Sequence, residues 1–477
     1  MTTAVGMQKA RMQKGRTLML VVLLSGCTVG PNYKGAPQII DPGAGFVRAP
    51  TASQTEPPSR WWTQLNDPLL NTLIDTALES SPTIESATAR LREARAALAS
   101  ERAKELPNTG ASAAYLRAHG LTSALGAAPA GGASGDTNVY AIGFDATWEV
   151  DLFGAHRRAV EGAAASLEGS RAGLRDVLVS LSSEVAQAYI QLRDSQERVG
   201  LTQRNIAIEQ QLLDLMQRRR TGGTASDLDV ARVQNQLETT QASLGPLQTD
   251  VSLQMDRLAM LTGKTPGVLD GELATPTAVP QPPVEVPIGD PAALLRRRPD
   301  IASAERKLAQ QTAAVGQDIA ALFPKLTLLG DVGFTAASPR TLFNGASFTY
   351  VAAPLLQWTP FDFGRNRAHI EQARGARDEA EADYRRTVLA ALQDAESALD
   401  RYGHQRNTVA DYAKVQASAE RVYALTEIRL RNGVASTTDV LDADSRRVQA
   451  QLSYQQALAE LSTDFVAIQK SLGLGWT

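Results

Sequence analysis

The sequence predicts a mainly α-helical chain, internally duplicated, with a smaller transmembrane β-barrel part. Three observations carry that prediction. Glycines at 154, 223 and 263 recur at 364, 433 and 473, a constant offset of 210 residues, and a repeat of that size constrains a fold more than any single motif. Two proline-free runs, 155–220 and 365–431, are rich in helix formers, and each would reach ~100 Å as unbroken helix. Two windows, 107–154 and 324–364, hold nearly half of the aromatic residues and change from helical periodicity to alternation.

The chain begins with Lys9, Arg11, Lys14 and Arg16, a short apolar run over 17–24, and the small pair Ser25-Gly26. That is the layout of a secretory signal over 1–26, and the run is too short to cross a bilayer. Cys27, the single cysteine, follows at once. No disulfide can form within the chain. Leu24-Ser25-Gly26-Cys27 instead resembles the bacterial lipobox, in which the cysteine is acylated and becomes the first mature residue; Thr28 after it implies passage to the outer membrane, and a buried, inert cysteine is the alternative. Residues 28–60 carry six prolines, so 27–66 reads as a lipid-anchored tether ending near Trp61-Trp62.

The first repeat covers 67–263 and the second 292–473, joined by a connector over 264–291 with seven prolines and followed by a tail over 474–477. Proline so dense permits neither a long helix nor a central strand. Pro82 and Pro299 suit the first turns of helices over 82–106 and 299–323. Long helices follow over 155–220 and 365–431, then helices over 227–262 and 437–471. In the first of these last two, Val230, Leu237, Leu244, Val251 and Leu258 recur every seven residues, the period of helices packed side by side. Gly245-Pro246 predicts a kink. A helix of ~25 residues in line with one of ~35 matches a single ~66-residue helix, so each repeat can lay a split rod beside an unbroken one.

Between these helices lie predicted β-hairpins over 108–151 and 325–360. Tyr140, Ile142, Phe144, Ala146, Trp148 and Val150 share one face, and Phe348, Tyr350, Ala352, Pro354, Leu356 and Trp358 repeat the pattern. Strands of ~12 residues with aromatics at both ends of an apolar face suit a membrane. Four strands cannot close a lipid-facing barrel, and open edges are not tolerated in hydrocarbon, so the barrel must be pooled between subunits. A net charge of −3 gives no reason to expect nucleic acid. Four histidines without metal-site spacing argue against a metalloenzyme, and no cofactor motif is present: Gly263-Lys264-Thr265 closes a helix instead of opening one. Arg296-Arg297-Arg298 reads as a solvated turn.

Cys27-Thr-Val-Gly-Pro-Asn-Tyr33, Trp61-Trp62-x-x-Leu65-x-Asp67-Pro68-x-Leu70, the two Phe-Gly turns, and Gly433-x-x-Ser436 before Val440-Leu441-Asp442-Ala443 resemble the outer membrane factors of tripartite efflux systems. More narrowly, the chain resembles the NodT/OprM-like lipoprotein branch of the TolC-type fold. The resemblance implies a homotrimer whose twelve pooled strands close one barrel above a periplasmic α-helical tunnel. It implies as partners outer-membrane lipid, a periplasmic adaptor and an inner-membrane pump, usually of the RND class. The tips Gly223, Thr224, Ser226 and Gly433, Val434, Ser436 would meet the adaptor, although turn chemistry and helix capping account for them equally. Asp439 and Asp442, with Thr438, would ring the aperture, where crowding should raise some carboxyl pKa values. Asp439 also suits a helix start. Leu430 and Ala435 stand where TolC uses a bonded tyrosine and arginine, and Thr438 where related ducts place a gating leucine. A lipid-anchored periplasmic coiled-coil scaffold is the alternative; it explains the rods and Cys27 but not the paired aromatic strands.

Overall fold

The computed structural model describes residues 28–39, 46–48, 58–119, 136–288 and 297–476. The signal over 1–26 and Cys27 lie outside the described residues. Helix α1 spans Pro68–Ser80 and α2 Pro82–Ala103; strands β1, Asn108–His119, and β2, Asp136–Val150, follow. Then come α3, Ala155–Thr221, and α4, Asp227–Leu261. After the connector, α5 spans Pro299–Ala320, β3 Lys325–Ala336, β4 Phe348–Gln357, α6 Arg365–Arg431 and α7 Thr437–Ser471.

The duplication holds helix by helix. α3 and α6 are both 67 residues long, α4 and α7 both 35, and α2 and α5 both 22. The glycines of the sequence repeat share their backbone geometry: φ is +85° and +88° at Gly154 and Gly364, and +73° at both Gly223 and Gly433. Even a side-chain clamp repeats. The Trp148 indole donates to the Glu105 carbonyl at 2.9 Å, and the Trp358 indole to the Leu322 carbonyl at 3.0 Å. Each ties the end of a hairpin to the turn that leads into it.

The four strands form one antiparallel sheet in the order β1-β2-β3-β4. The two hairpins therefore join through β2 and β3, with Ile142 opposite Phe334, Phe144 opposite Val332 and Trp148 opposite Leu328. Directly opposed residues share a face, so the alternation read from each strand merges into one apolar surface. Tyr115, Phe144, Phe348, Tyr350 and Leu356 stand on it, exposed. Among the described residues, β1 and β4 each have one unpaired edge.

The compact units cut across the repeats. One gathers Arg92–Gly169 and Ala304–Asp383 with the N-terminal segment, because β2 and β3 join the hairpins; the other gathers Pro37–Leu91, Ser170–Ser303 and Tyr384–Thr477. Within the second unit, α4 ends against the start of the next rod segment. A Cβ on Gly263 would lie 2.5 Å from the Ser80 carbonyl, and one on Gly473 2.9 Å from the Arg298 Cα. This abutment is the split rod.

Several features differ from the sequence reading. α2 and α5 stop at Ala103 and Ala320 and pass into turns before their strands. α1 was not expected. Asp67 caps it, accepting from Leu69 and Leu70 amides at 2.9 and 3.0 Å, and Pro68 is its first residue. Trp61 and Trp62 form a single 3-10 turn, fully buried, with Trp61 edge-on to Phe465 at 6.0 Å. Arg298 is no solvated turn residue: its side chain is 12% exposed, pairs with Asp300 at 2.6 Å, and donates to the Ser471 carbonyl at 3.0 Å.

Candidate functional site

The two tips are built identically. At the end of α3, the Thr224 amide donates to the Arg219 carbonyl at 2.8 Å and the Gly223 amide to the Arg220 carbonyl at 2.9 Å. At the end of α6, the Val434 amide donates to the Arg429 carbonyl and the Gly433 amide to the Leu430 carbonyl, both at 2.9 Å. This paired closure needs a left-handed residue at glycine. A side chain at Gly223 or Gly433 would meet nothing within 4 Å, so the glycines serve conformation and not close packing.

Ser226 and Ser436 then start α4 and α7 through capping boxes. The Ser436 amide and hydroxyl donate to the Asp439 carboxylate at 2.7 and 2.8 Å, and the Asp439 amide returns a bond to the hydroxyl at 3.2 Å. Ser226 and Asp229 repeat the arrangement. The bond from the Ser436 amide, then that from its hydroxyl, holds the Asp439 carboxyl below the ordinary aspartate range, and Arg429 and Arg219 add to this. In the single chain the direction is therefore opposite to the rise expected from a crowded ring. A depressed folded-state pKa means that the box contributes fully above the ordinary value of about 3.9 and fades as pH falls through the lower folded value. Amide exchange at the start of α7 should thus stay protected at pH 5, rising only below about 4. Ser436→Ala should cost about 1 kcal/mol, read by the same exchange.

Thr438 has a partner that the sequence did not reveal. The Arg219 guanidinium, on the last turn of α3, donates to the Thr438 hydroxyl at 3.2 Å; the Ser226 amide and hydroxyl bonds lower the Asp229 pKa, and the charges of Arg232 and Arg219 add to this. Arg219 thus links the tip of the first repeat to the start of α7 in the second. Its backbone is held as well, since its carbonyl accepts from both the amide and the hydroxyl of Thr224. Asp442 is exposed and pairs with Arg446 at 3.1 Å. Val434 and Leu228, with Ile428 in the last turn of α6, are exposed apolar residues beside the tips; Leu228 occupies the repeat position of Thr438 and was not singled out from sequence.

Above the tips a polar layer joins α3 to α6 and α7. The Ser445 hydroxyl donates to the Asn205 side-chain oxygen at 2.9 Å, and buried Arg447 pairs with Asp444 at 2.5 Å and Glu420 at 3.2 Å while lying 4.1 Å over the Tyr423 ring. Buried polar contacts of this kind fix register between packed helices.

At the sheet, the segment after Cys27 is pinned in place. Arg158, 3% exposed, donates to the carbonyls of Val29 and Gly30 at 3.2 and 3.3 Å and to the Asn32 side chain at 2.6 Å. The Val29 amide donates to the Phe153 carbonyl at 3.1 Å, and Tyr33 reaches Glu305 at 2.6 Å. Residue 28 therefore sits against the β2–α3 turn: a Cβ on Gly154 would lie 2.8 Å from the Thr28 methyl. Among the described residues, no helix is long and apolar enough to cross a membrane.

Comparison with known proteins agrees with this architecture. The model of the outer membrane efflux protein family matches twice, over 73–264 and 291–474. Nodulation protein T of Rhizobium leguminosarum bv. trifolii is 26% identical over 466 residues, covering 98% of both chains. The pyoverdine export outer membrane protein OpmQ of Pseudomonas putida is 32% identical over 447 residues, 92% of this chain and 93% of that one. Among solved structures, the outer-membrane channel OprN superposes with a TM-score of 0.84 at 34% identity, over 94% of this chain and all of that one. A twice-matched family model on an internally duplicated, TolC-like protomer settles the classification: the chain belongs to the outer membrane efflux protein family.

Proposed function

We propose that three copies of this chain form the exit duct of a tripartite efflux pump, a passive conduit whose substrates are driven by an inner-membrane transporter through a periplasmic adaptor. The observation that carries this is the four-stranded sheet with one apolar face and two unpaired edges. Such a sheet is tolerated in hydrocarbon only when closed, and three copies supply twelve strands. The Cys27 thiol, acylated, would moor each copy at the membrane face, consistent with Thr28 lying against the end of the sheet. The scaffold alternative leaves the apolar face without a purpose.

The tips are the adaptor contacts in this reading. Gly433→Trp has room but must adopt a positive φ, at a cost of about 1–2 kcal/mol; it should leave oligomers intact while abolishing efflux, and full complementation would remove the tip from the interface. Asp439 and Asp442 supply the aperture charge, with Arg219 as the tie to Thr438. The direct test is conductance of the purified protein in planar bilayers. Discrete channels with cation preference are expected, the preference falling in the Asp439→Ala, Asp442→Ala double variant. Arg219→Ala should raise open probability about fivefold, the worth of one ordinary hydrogen bond. Absence of channels would overturn the function; unchanged selectivity would overturn the aperture assignment alone.

A further inference from the structure

Part-way along the long helices, α3, α6 and α7 line a cavity of about 540 Å³ that lies within the second compact unit. Four of its side chains are carboxylates, Asp194, Asp400, Glu460 and Asp464; against them stand two guanidiniums, Arg198 and Arg401, and the His404 imidazole. The cations are unevenly shared. Arg401 lies 3.7 Å from Asp464, and Asp400 has both His404 and Arg48 at 3.8 Å. Arg198 reaches one oxygen of Asp194, Oδ2, at 3.4 Å. Glu460, among the described residues, pairs with no cation; it accepts from the side-chain amides of Gln405 and Gln456, both at 3.1 Å.

Asp194 is the residue that points to a ligand. It is 3% exposed, it lines the cavity, and its Oδ1 has no hydrogen-bond partner among the described residues. A buried carboxylate oxygen left unanswered is costly, and a donor entering from the cavity removes that cost. Burial holds the Asp194 carboxyl above its ordinary range; Arg198 opposes the rise and the Glu460 charge adds to it. Asp464 follows the same pattern, raised by burial, opposed by Arg401 and raised further by Glu460. The unmatched negative charge thus sits on two walls, Asp194 on α3 and Glu460 on α7.

The rest of the lining decides which cation fits. Among the described residues, no three His, Cys, Asp or Glu side chains stand close enough to hold a metal ion, and hard metal cations need several oxygens around one point. Ala459 is the only apolar side chain of the lining among the described residues, so a bulky hydrophobic cation, which relies on apolar and aromatic walls, finds no contact. A thin aliphatic polyamine does. Each ammonium brings up to three N–H donors, and the methylene spacers let separate charges answer separate carboxylates. We propose that this cavity binds an aliphatic polyamine, one ammonium donating to Asp194 Oδ1 and another to Glu460, so that the ligand bridges α3 and α7.

Isothermal titration of spermidine into the purified full-length protein in detergent tests this. Saturation at one spermidine per chain is expected, undiminished by an equal concentration of magnesium. Glu460 is exposed, so Glu460→Gln keeps the fold and should weaken binding at least about tenfold, the loss of one charge-assisted bond. Asp194→Asn should do the same, with far-UV circular dichroism reporting that the helices are intact. The Asp439→Ala, Asp442→Ala double variant, which removes the carboxylates at the start of α7, should bind spermidine as the parent does. No saturable binding, or equal affinity in Glu460→Gln, overturns the site. Displacement by magnesium overturns the polyamine class. Loss of binding in the double variant instead of in Glu460→Gln puts the amine at the tips and overturns the site as well.

Discussion

Gly333→Val should remove assembled protein from the outer membrane, while Gly330→Ala should assemble normally. The difference comes from how closely β2 and β3 approach. A Cβ on Gly333 would lie 2.4 Å from the Ile142 carbonyl oxygen and 2.7 Å from the Gly143 Cα, whereas one on Gly330 would have its nearest neighbour, the Ala146 Cβ, at 3.9 Å. Both contacts at Gly333 are with backbone, which cannot rotate away, and glycine inside a strand marks such an approach. Overpacking a ladder costs about 3 kcal/mol or more. The seam it opens is where the two hairpins join in the sheet, and a sheet split there presents new open edges to lipid. Heat-modifiability of the outer-membrane fraction on gels checks it: oligomer for Gly330→Ala, none for Gly333→Val. Normal oligomer in the valine variant would mean that the seam is looser than described.

Arg158→Ala should release the N-terminal segment without unfolding the rest. The guanidinium is 3% exposed and serves Val29, Gly30, Asn32 and Glu161, the last at 2.6 Å. Its removal takes the donor from the part-buried bonds to the Val29 and Gly30 carbonyls and the Asn32 side chain, a loss of about 2 kcal/mol of local stability. Gly30→Ala should do the same by another route. Its φ is +87°, and a Cβ there would lie 2.5 Å from the Gly316 Cα. Limited proteolysis should cleave within 28–36 in both variants and not in the parent, with far-UV circular dichroism unchanged. Resistance equal to the parent would show that the Tyr33–Glu305 bond and Val29 amide suffice.

Much of this architecture was legible because it rests on local rules that repeat. Helix closure at glycine, capping by serine three residues before aspartate, and alternation in the strands are all short-range, and the chain states each of them twice. α1 was legible in principle: Asp67-Pro68 is a cap followed by a first-turn proline, but it lies at the start of the first repeat ahead of Pro82, where the reading assigned no helix. Arg298 and Arg219 could not be read. Both are arginines at helix ends, where a solvated charge and a buried tie look alike in sequence, and what distinguishes them is a carbonyl or hydroxyl far away along the chain. The same holds for Phe153 and Phe363. They are repeat partners, yet one is stacked and the other bare, because the first meets Phe323 in the turn ahead of β3 and the second lies after β4, at the edge of the sheet. Asp439 lies in the first turn of α7, and the direction of its titration depends on Ser436, which the capping pattern alone could have supplied.

The central claim is that the two hairpins of one chain are insufficient by themselves and are completed by other copies. Native mass spectrometry of the detergent-extracted outer-membrane protein tests it most directly. Three chains per particle, separating only on heating, is the expected result; a single chain that stays dispersed in water after detergent removal would contradict it.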